Sequence, residues 1–532
     1  MRNWLVTTAA IGAALAAACL GGAASAQKSG GTLRMYFHDN APSGSIHEEA
    51  TNSTVVPFMP VYNNLVLFDQ QVARNSEDTV RPDLAESWAW NADKSQLAFK
   101  LRAGVKWHDG KPFTAADVKC TWDLVRGEGA AKLRKNPRKT WYENLDKVVV
   151  DGELAVTFHL KRPQPSFIIL LASGYSPVYP CHATPADMRT KPVGTGPFKF
   201  VEFKQNEHIK LVRNPDYFKK GKPHLDAIEY SIVPNRSTAI LGFVSNRFDI
   251  TAPYAVTIPL LKDVRSQSPA AVCSTASMNN STNLIVNRES PPFDDERLRR
   301  AMMLSIDRKA FVEILNQGDA IIGGVMQPTP DGNWGMPQAM FEQVKGYGPD
   351  VAKNREEGRA IMRSLGYGPD KRLKIKVSTR NHLLYRDPAV IFADQLKEVY
   401  FDAELDLVDT AAWFTKVARK DYSVGLNTTG NGVDDPDQTF FEHYACGSER
   451  NYTNYCNREL QEAFVRQSSE LDPEKRRKMV WDIDRRLLED AARPIIMWNR
   501  SGSCWHPRVK GYVPMVNSLY NGFRFEDVWL DQ

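Results

Sequence analysis

Strand and helix signals alternate along most of this 532-residue sequence, and the alternation limits the possible folds more than any other feature. It is clearest in the second half, where strands are predicted over residues 373–378, 403–408 and 423–427 and helices over 388–399 and 413–419. This β-α-β rhythm is typical of a sheet whose parallel strands are joined by covering helices. We therefore predict an α/β fold.

The first half adds antiparallel signals. Asp151-Gly152 is a strong turn signal and predicts a hairpin between two strands. Thr114, with Asp117 three residues later, predicts the start of a helix that ends near residue 125. Further along, residues 294–304 are expected to continue into 309–315 as helix.

The N-terminus has the pattern of a secretory signal peptide. Arg2 precedes an apolar stretch rich in alanine and glycine, and Ala24-Ser25-Ala26 supplies the small residues of a cleavage site. A membrane anchor is the alternative, but such segments are richer in leucine. A lipoprotein at Cys19 is a second alternative, although no leucine stands three positions before it. We expect residues 1–26 to be removed on export to the periplasm.

Export would place the remaining cysteines in an oxidising compartment. Cys446 and Cys456 enclose a short polar loop, which predicts a disulfide; a zinc site is the rival, but no Cys-x-x-Cys pair accompanies it. A second bridge between Cys181 and Cys273 is a further expectation, and Cys120, on a helical pattern, is expected as a buried thiol. Spacing alone leaves the pairing of these cysteines open.

Charge and motifs exclude several function classes. The chain has 68 Lys and Arg against 63 Asp and Glu, a net charge of +5, without a long basic run, so nucleic-acid binding is not expected. The nucleophile-elbow, zinc-protease, P-loop and dinucleotide-binding motifs are absent from the sequence. We therefore expect no enzyme activity and no cofactor.

Several sequence segments, in this order, carry a family resemblance: RPDLAESW (81–88), FKLRAGVKWHDGKPFTAADV (99–118), VGTGPF (193–198), FDDERLRRA (293–301) and VKGY (509–512). Together they resemble the extracytoplasmic solute-binding protein family 5 of ABC transporters, the peptide and nickel binding group. Each segment alone is a weak signal. Their order and spacing across nearly the whole mature chain make the resemblance specific.

The resemblance implies a two-lobed periplasmic binding protein (type II, cluster C-like) with an extra inserted domain in the first lobe. Lobe I would be discontinuous, built from residues 27–44, 186–280 and 495–532. The inserted domain would span 45–185, and lobe II would span 281–494. Two connecting strands would form the hinge between the lobes.

The resemblance also implies a function. Such a protein is the periplasmic substrate-binding component of an ABC importer, a monomer that captures a small peptide-like solute by hinge closure and delivers it to a permease in the inner membrane. Within the family, an opine, an oligosaccharide, nickel or haem are alternative solutes. Outside it, the alternatives are a secreted hydrolase that uses Asp434 and Asp435 on peptides or glycans, and an adaptor that docks a receptor other than a permease.

A zwitterionic peptide needs a carboxylate for its ammonium and a guanidinium for its carboxylate. The resemblance places the carboxylate in the loop after strand 423–427, at Asp434, Asp435 or Asn431, with Asp434 preferred, and the guanidinium at Arg380. Aromatic walls of the pocket are expected from three residues: Trp413, Tyr62 and Trp334. The alternatives are solvated turn residues for the acidic loop, a surface charge for Arg380, and core packing for the aromatic residues.

Overall fold

The computed structural model describes residues 27–253, 255–277 and 279–531. The predicted signal peptide and Cys19 lie outside these residues. Among the described helices, none has both the length and the apolar composition needed to span a bilayer.

The strands of the described chain pair into sheets of two to five members. In chain order they are β1 (Thr32–Phe37), β2 (Val66–Phe68), β3 (Val80–Pro82), β4 (Ala85–Trp90), β5 (Gln96–Leu101), β6 (Leu145–Gly152), β7 (Ala155–Leu160), β8 (Phe198–Lys204), β9 (His208–Arg213), β10 (Ala227–Ile232), β11 (Val272–Ala276), β12 (Asn280–Val286), β13 (Leu373–Arg380), β14 (Phe401–Val408), β15 (Val424–Gly430), β16 (Ile495–Trp498), β17 (Ser501–Trp505), β18 (Val509–Lys510) and β19 (Trp529–Leu530).

The helices lie between these strands and after them. They are α1 (Asn52–Phe58), α2 (Ala115–Arg126), α3 (Phe167–Ala172), α4 (Pro185–Thr190), α5 (Arg236–Val244), α6 (Ile258–Gln267), α7 (Glu296–Leu304), α8 (Arg308–Asn316), α9 (Gln338–Phe341), α10 (Val351–Ser364), α11 (Leu383–Lys397), α12 (Thr410–Ala418), α13 (Pro436–His443), α14 (Arg458–Ser468) and α15 (Pro473–Glu489). Short 3-10 turns occur at Met59–Val61, Glu77–Thr79 and Lys139–Tyr142.

The first lobe is built around a sheet with the strand order β1-β10-β9-β8, in which β1 runs parallel to β10 and the other pairs are antiparallel. Ile250 bridges β1 to β17 through Met35 and Trp505, and β17 pairs with β11. Strands from the start, the middle and the end of the chain therefore meet in one lobe.

The second lobe contains a five-stranded sheet with the order β14-β13-β15-β12-β16. Strand β13 is parallel to both β14 and β15, while β12 pairs antiparallel with β15 and β16. Its central side chains, Leu284, Val377, Val424 and Leu426, are fully buried because helices cover the sheet. The predicted β-α-β arrangement is confirmed here, and the two-lobed α/β fold with it.

Residues 85–160 form a separate antiparallel sheet with the order β4-β5-β7-β6. Its strands alternate buried and solvent-facing side chains, and α2 packs against β6 and β7. The hairpin predicted at Asp151-Gly152 joins β6 to β7, and Thr114 and Asp117 form a capping box at the start of α2. A separate sheet supports an inserted domain, whose boundaries stay a prediction.

Two cysteine expectations were wrong. Cys120 is not a free thiol: it lies on α2 and is bonded to Cys181, with the two Cα atoms 5.6 Å apart. Cys273 is bonded to Cys504 instead of Cys181, because these two residues face each other in the β11–β17 ladder, 4.2 Å apart at Cα. The tertiary fold brings both pairs together across 61 and 231 residues, distances over which spacing carries no information.

The chain crosses between the lobes twice, once from β11 to β12 and once from β16 to β17. The two crossings lie side by side, since the backbone N–H of Asn499 donates to the carbonyl of Asn280 at 2.8 Å. Their side chains also pair, with Asn499 Nδ2 donating to Asn280 Oδ1 at 2.7 Å. On the first-lobe side, the Cys273–Cys504 disulfide joins the same two segments covalently.

Candidate functional site

A cavity of about 60 Å³ lies where the two lobes face each other. Both lobes and both crossings contribute polar side chains to its wall, among them His38, Asp39, Asn280, Arg380, Asn427 and Asn499. Polar groups that converge on a buried space between lobes are the usual setting of a small-molecule site.

An ion pair crosses this cavity from one lobe to the other. Asp39 follows β1 of the first lobe and Arg380 ends β13 of the second, with Arg380 Nη2 3.0 Å from Asp39 Oδ2. Burial raises the pKa of Asp39, but the Arg380 guanidinium and the Ser53 hydroxyl, 2.5 Å from Oδ1, together lower that pKa below its usual value. Arg380 also donates to Thr410 Oγ1, at 2.8 Å.

Two histidines stand beside the ion pair. The rings of His38 and His382 are 5.1 Å apart, centroid to centroid. Burial lowers the pKa of His38 and lowers that of His382 to about 3, so both imidazoles are neutral at neutral pH. Among the described residues, no group of three or more His, Cys, Asp or Glu side chains is placed to hold a metal ion.

A larger cavity, of about 710 Å³, adjoins the first and shares four wall residues with it: Ala50, Phe414, Arg450 and Tyr452. Part of its wall is the loop closed by the Cys446–Cys456 disulfide, the bridge that the sequence predicted. The volume is in the range of known small-ligand pockets. We therefore include the larger cavity in the candidate site and call the four residues that line both cavities the shared wall.

Arg380 is the one residue of the predicted binding set that lines the cavity between the lobes, among the described residues. The carboxylate of Asp434 is occupied elsewhere: its Oδ2 accepts from the backbone and side chain of Asn333, at 3.0 and 2.8 Å, and from Asn517 Nδ2 at 3.2 Å. It clamps the loop before α9 to the C-terminal segment. A direct contact between Asp434 and a solute stays a prediction that this placement does not support.

The other two residues of the acidic loop also have protein partners. Asp435 caps α13 and forms a two-point ion pair with Arg476, with N···O distances of 3.0 and 2.8 Å. Asn431 donates to Asn279 Oδ1 at 3.0 Å and lies 3.1 Å from His443 Nε2. These contacts hold the loop after β15 in place.

The three predicted aromatic residues pack within the protein. Trp413 is 1% exposed and lies in a cluster with Ile285 and Tyr422. Tyr62 stacks on Tyr179 and donates its hydroxyl to the carbonyl of Gly44 at 2.9 Å. The Trp334 ring lies 4.6 Å from the Arg476 guanidinium. Their roles as walls of a ligand pocket stay predictions.

Sequence reasoning missed most of the cavity wall. Asp39 and His38 could have been found, because they directly follow the first strand at a sheet end. Asn280 and Asn499 carry no signal on their own, since their role depends on the two crossings lying side by side. Arg450 lies inside the predicted disulfide loop and could have been singled out as its basic residue.

Residues 79–451 match the family model described as bacterial extracellular solute-binding proteins, family 5 Middle. The oligopeptide-binding protein AppA of Bacillus subtilis strain 168 is 25% identical over 451 residues, which are 81% of this chain and 80% of that protein. The dipeptide-binding protein of Escherichia coli K12 is 23% identical over 511 residues, 90% of this chain and 91% of that protein.

A solved structure shows the same fold. The ABC transporter-associated periplasmic binding protein DppA from Helicobacter pylori, in complex with the peptide STSA, aligns with a TM-score of 0.81 at 19% identity, covering 95% of this chain and 99% of that one. At this level of identity the likeness concerns the arrangement of the backbone. The family model, by contrast, rests on sequence over most of the chain.

Proposed function

The chain belongs to the bacterial extracellular solute-binding proteins of family 5, and on that premise we propose that it is the periplasmic substrate-binding component of an ABC importer. It captures a small peptide-like solute by closing two lobes over it, and delivers the solute to a permease in the inner membrane. The named peptide-binding relatives support this solute class. The protein acts as a monomer after export.

The observation that carries the proposal is the pair of opposite charges, one from each lobe, that meet across the cavity. A peptide presents an ammonium and a carboxylate. Asp39 can accept from the ammonium and Arg380 can donate to the carboxylate, each in place of its present partner. Closure then buries these contacts and excludes water, which strengthens them.

We propose binding without catalysis. The hydrolase alternative would use Asp434 and Asp435 as a carboxylate pair that faces the bound solute. The structure holds Asp434 with Asn333 and Asn517, and Asp435 with Arg476, so neither carboxylate lines the cavity between the lobes. The relatives from Bacillus subtilis and Escherichia coli are binding proteins.

Titration calorimetry with a panel of dipeptides and tripeptides tests the proposal. We expect Arg380→Ala to weaken peptide binding at least about tenfold, since a hydrogen bond to a charged group contributes about 1.5–3 kcal/mol. The matched control is Arg297→Ala, which removes an exposed guanidinium paired with Asp295. Mass spectrometry of the recovered peptide should show it intact.

Two results would contradict the proposal in different ways. A peptide panel that neither binds nor raises the melting temperature would exclude peptide-like solutes, because bound solute stabilises by RT ln(1 + [L]/Kd). Cleaved peptide after incubation with the purified protein would replace binding by hydrolysis.

A further inference from the structure

Three buried arginines lie around the wall that separates the two cavities. They are Arg138, Arg450 and Arg493, which are 1%, 6% and 3% exposed. Among the described residues, Glu442 is the one carboxylate within 4 Å of any of the three guanidinium groups, and it pairs with Arg450. The group thus buries three positive charges beside one negative charge.

Glu442 already accepts hydrogen bonds from three other side chains and makes none with Arg138 or Arg493. Its Oε1 accepts from Arg450, and its Oε2 accepts from Trp141 Nε1 at 2.6 Å and from Gln438 Nε2 at 3.0 Å. The charge excess is therefore not balanced by a shared carboxylate. A buried guanidinium without a counter-ion is costly to the folded state.

Each arginine also has buried N–H groups that meet no acceptor among the described residues: Nε and Nη1 of Arg138, Nε of Arg450 and Nη1 of Arg493. Arg493 is held in place by its other two nitrogens, since Nε donates to Asn283 Oδ1 at 2.9 Å and Nη2 donates to Thr429 Oγ1 at 2.7 Å. All three side chains thus carry N–H groups for which the described residues supply no acceptor.

One of the three arginines lines the cavities, and the other two lie behind side chains of the cavity walls. Arg450 and Tyr452 line both cavities. The Arg493 guanidinium lies 5.7 Å from the centre of the Tyr452 ring, and its partner Thr429 accepts from Asn427, a residue of the small cavity's wall. On the other side, Arg138 stacks 3.7 Å from the Tyr175 ring, which contacts Tyr520 of the same wall.

The surrounding charges agree with this arrangement. Burial lowers the pKa of His443 well below its usual value, and Arg493, Arg450 and Arg138 lower it further, so this imidazole adds no charge but lies in their field. Four glutamates line the large cavity: Glu48 pairs with Arg189 and Glu49 with Arg134, while Glu289 accepts from Asn454 and Glu449 from the N–H of Asn136. None of these four carboxylates is within 4 Å of the guanidinium groups of Arg138, Arg450 and Arg493.

We propose that the solute carries an acidic group in addition to the carboxylate bound by Arg380, and that this second carboxylate binds Arg450 at the shared wall, with Arg493 and Arg138 supplying further positive charge. This inference rests on the proposed function and narrows its solute class to acidic peptide-like compounds. A carboxylate would satisfy unused N–H groups and offset the buried charge.

Matched peptides test the inference, with calorimetry of Ala-Glu against Ala-Gln and of Ala-Ala-Glu against Ala-Ala-Gln. Within each pair the peptides differ in one carboxylate. We expect the acidic peptide of at least one pair to bind the native protein at least about tenfold more tightly than its amide partner, as a charge-assisted contact would give. Equal affinities within both pairs would overturn the inference and leave the proposed function standing. Failure of all four peptides to bind would overturn both.

Arg493→Gln separates binding from a structural role, because Arg493 pairs with no carboxylate among the described residues and its loss therefore leaves none unpaired. We expect the acid-to-amide preference to fall at least about threefold while the melting temperature of the free protein stays the same or rises, since a buried unpaired charge is removed. Arg380→Ala is the control and should weaken both peptides of a pair equally. An unchanged acid-to-amide preference in Arg493→Gln would exclude this arginine from the binding of the second carboxylate. If the melting temperature also fell, Arg493 would have a role in stability alone.

Discussion

Burial raises the pKa of two carboxyl groups, Asp434 and Asp484, to about 7. Their hydrogen bonds differ. All donors to Asp434 converge on Oδ2, and its Oδ1 meets no partner among the described residues. Asp484 uses both oxygens, Oδ1 for the N–H of Val325 at 2.7 Å and Oδ2 for that of Met326 at 3.2 Å. An amide can replace the first carboxylate but not the second.

We therefore expect Asp434→Asn to keep its hydrogen bonds and to lose the pH dependence of this site. Burial raises the pKa of Asp434 to about 7 in the folded protein, against an ordinary value of 3.8, so its contribution to stability is complete below pH 4 and is lost as the pH rises to 7. The variant should gain on the native protein by up to about 1.4 kcal/mol per pH unit across that window.

Urea unfolding between pH 4 and 8 measures this difference, and Asp484→Asn is the comparison. It removes a similar buried charge but turns an NH₂ group toward a backbone N–H, so we expect it to destabilise the protein at pH 7. Peptide affinity of Asp434→Asn should equal that of the native protein. A tenfold loss of affinity would restore Asp434 to the binding site that the sequence predicted.

At the residue level, the family resemblance predicted Arg380 as a site residue at the end of a strand, and Arg380 lines the cavity between the lobes. It could not predict that Asp39, 341 residues away, would be its partner. The excess of buried positive charge at Arg138, Arg450 and Arg493 could not be predicted either. Whether an arginine is buried without a counter-ion depends on tertiary packing, and the local sequence does not indicate it.

Among the elements, the turn before β8 explains the two glycines, Gly194 and Gly196, of the family segment VGTGPF. A Cβ atom added to Gly194 would lie 1.8 Å from the carbonyl oxygen of Val61, and one added to Gly196 would lie 2.4 Å from that of Pro60. The N–H of Gly196 donates to the carbonyl of Val61 at 2.9 Å. The two glycines thus let one backbone pack directly on another.

Gly194→Ala should destabilise the protein by about 2 kcal/mol or more, because the added methyl group forces two backbone segments apart. The control is Gly152→Ala in β6, where the nearest atom to an added Cβ is 4.0 Å away and no loss is expected. Denaturant unfolding measures both variants. Equal stability of the two would show that the turn before β8 can shift without cost.

Several elements were predicted closely because local signals define them: β13, β14 and β15 overlap the strands predicted over 373–378, 403–408 and 423–427, and α2 begins directly after the predicted cap Thr114. The continuous helix expected over 294–315 was wrong: Asp307 accepts from the N–H of Ala310 and starts α8 separately from α7. Strands β11 and β17 were missed because they contain small and polar residues, so their partner in the ladder defines them more than their own sequence does.

For the whole molecule, the order of the family motifs was enough to predict two lobes, since it reflects the path of the entire chain. The relative position of the lobes depends instead on the contacts between them, and the Asp39–Arg380 ion pair is one of many. This contact exists only when the lobes are close together. It therefore shifts the equilibrium of the solute-free protein toward the closed state.

Asp39→Ala should open the solute-free protein, and small-angle scattering should show a larger radius of gyration than that of the native chain. Loss of about 1.4 kcal/mol would change the ratio of closed to open molecules tenfold. Asp295→Ala, which breaks an exposed ion pair within the second lobe, is the control. A radius of gyration equal to that of the native protein would show that this ion pair does not determine the closed population.

The disulfide between Cys273 and Cys504 joins the two chain crossings where they leave the first lobe. Two paired strands that are linked by a disulfide cannot slide along each other. We therefore expect the lobes to rotate about one hinge axis, without a shear movement between them. A solute held between the lobes would then be presented to the permease in the same orientation in each transport cycle.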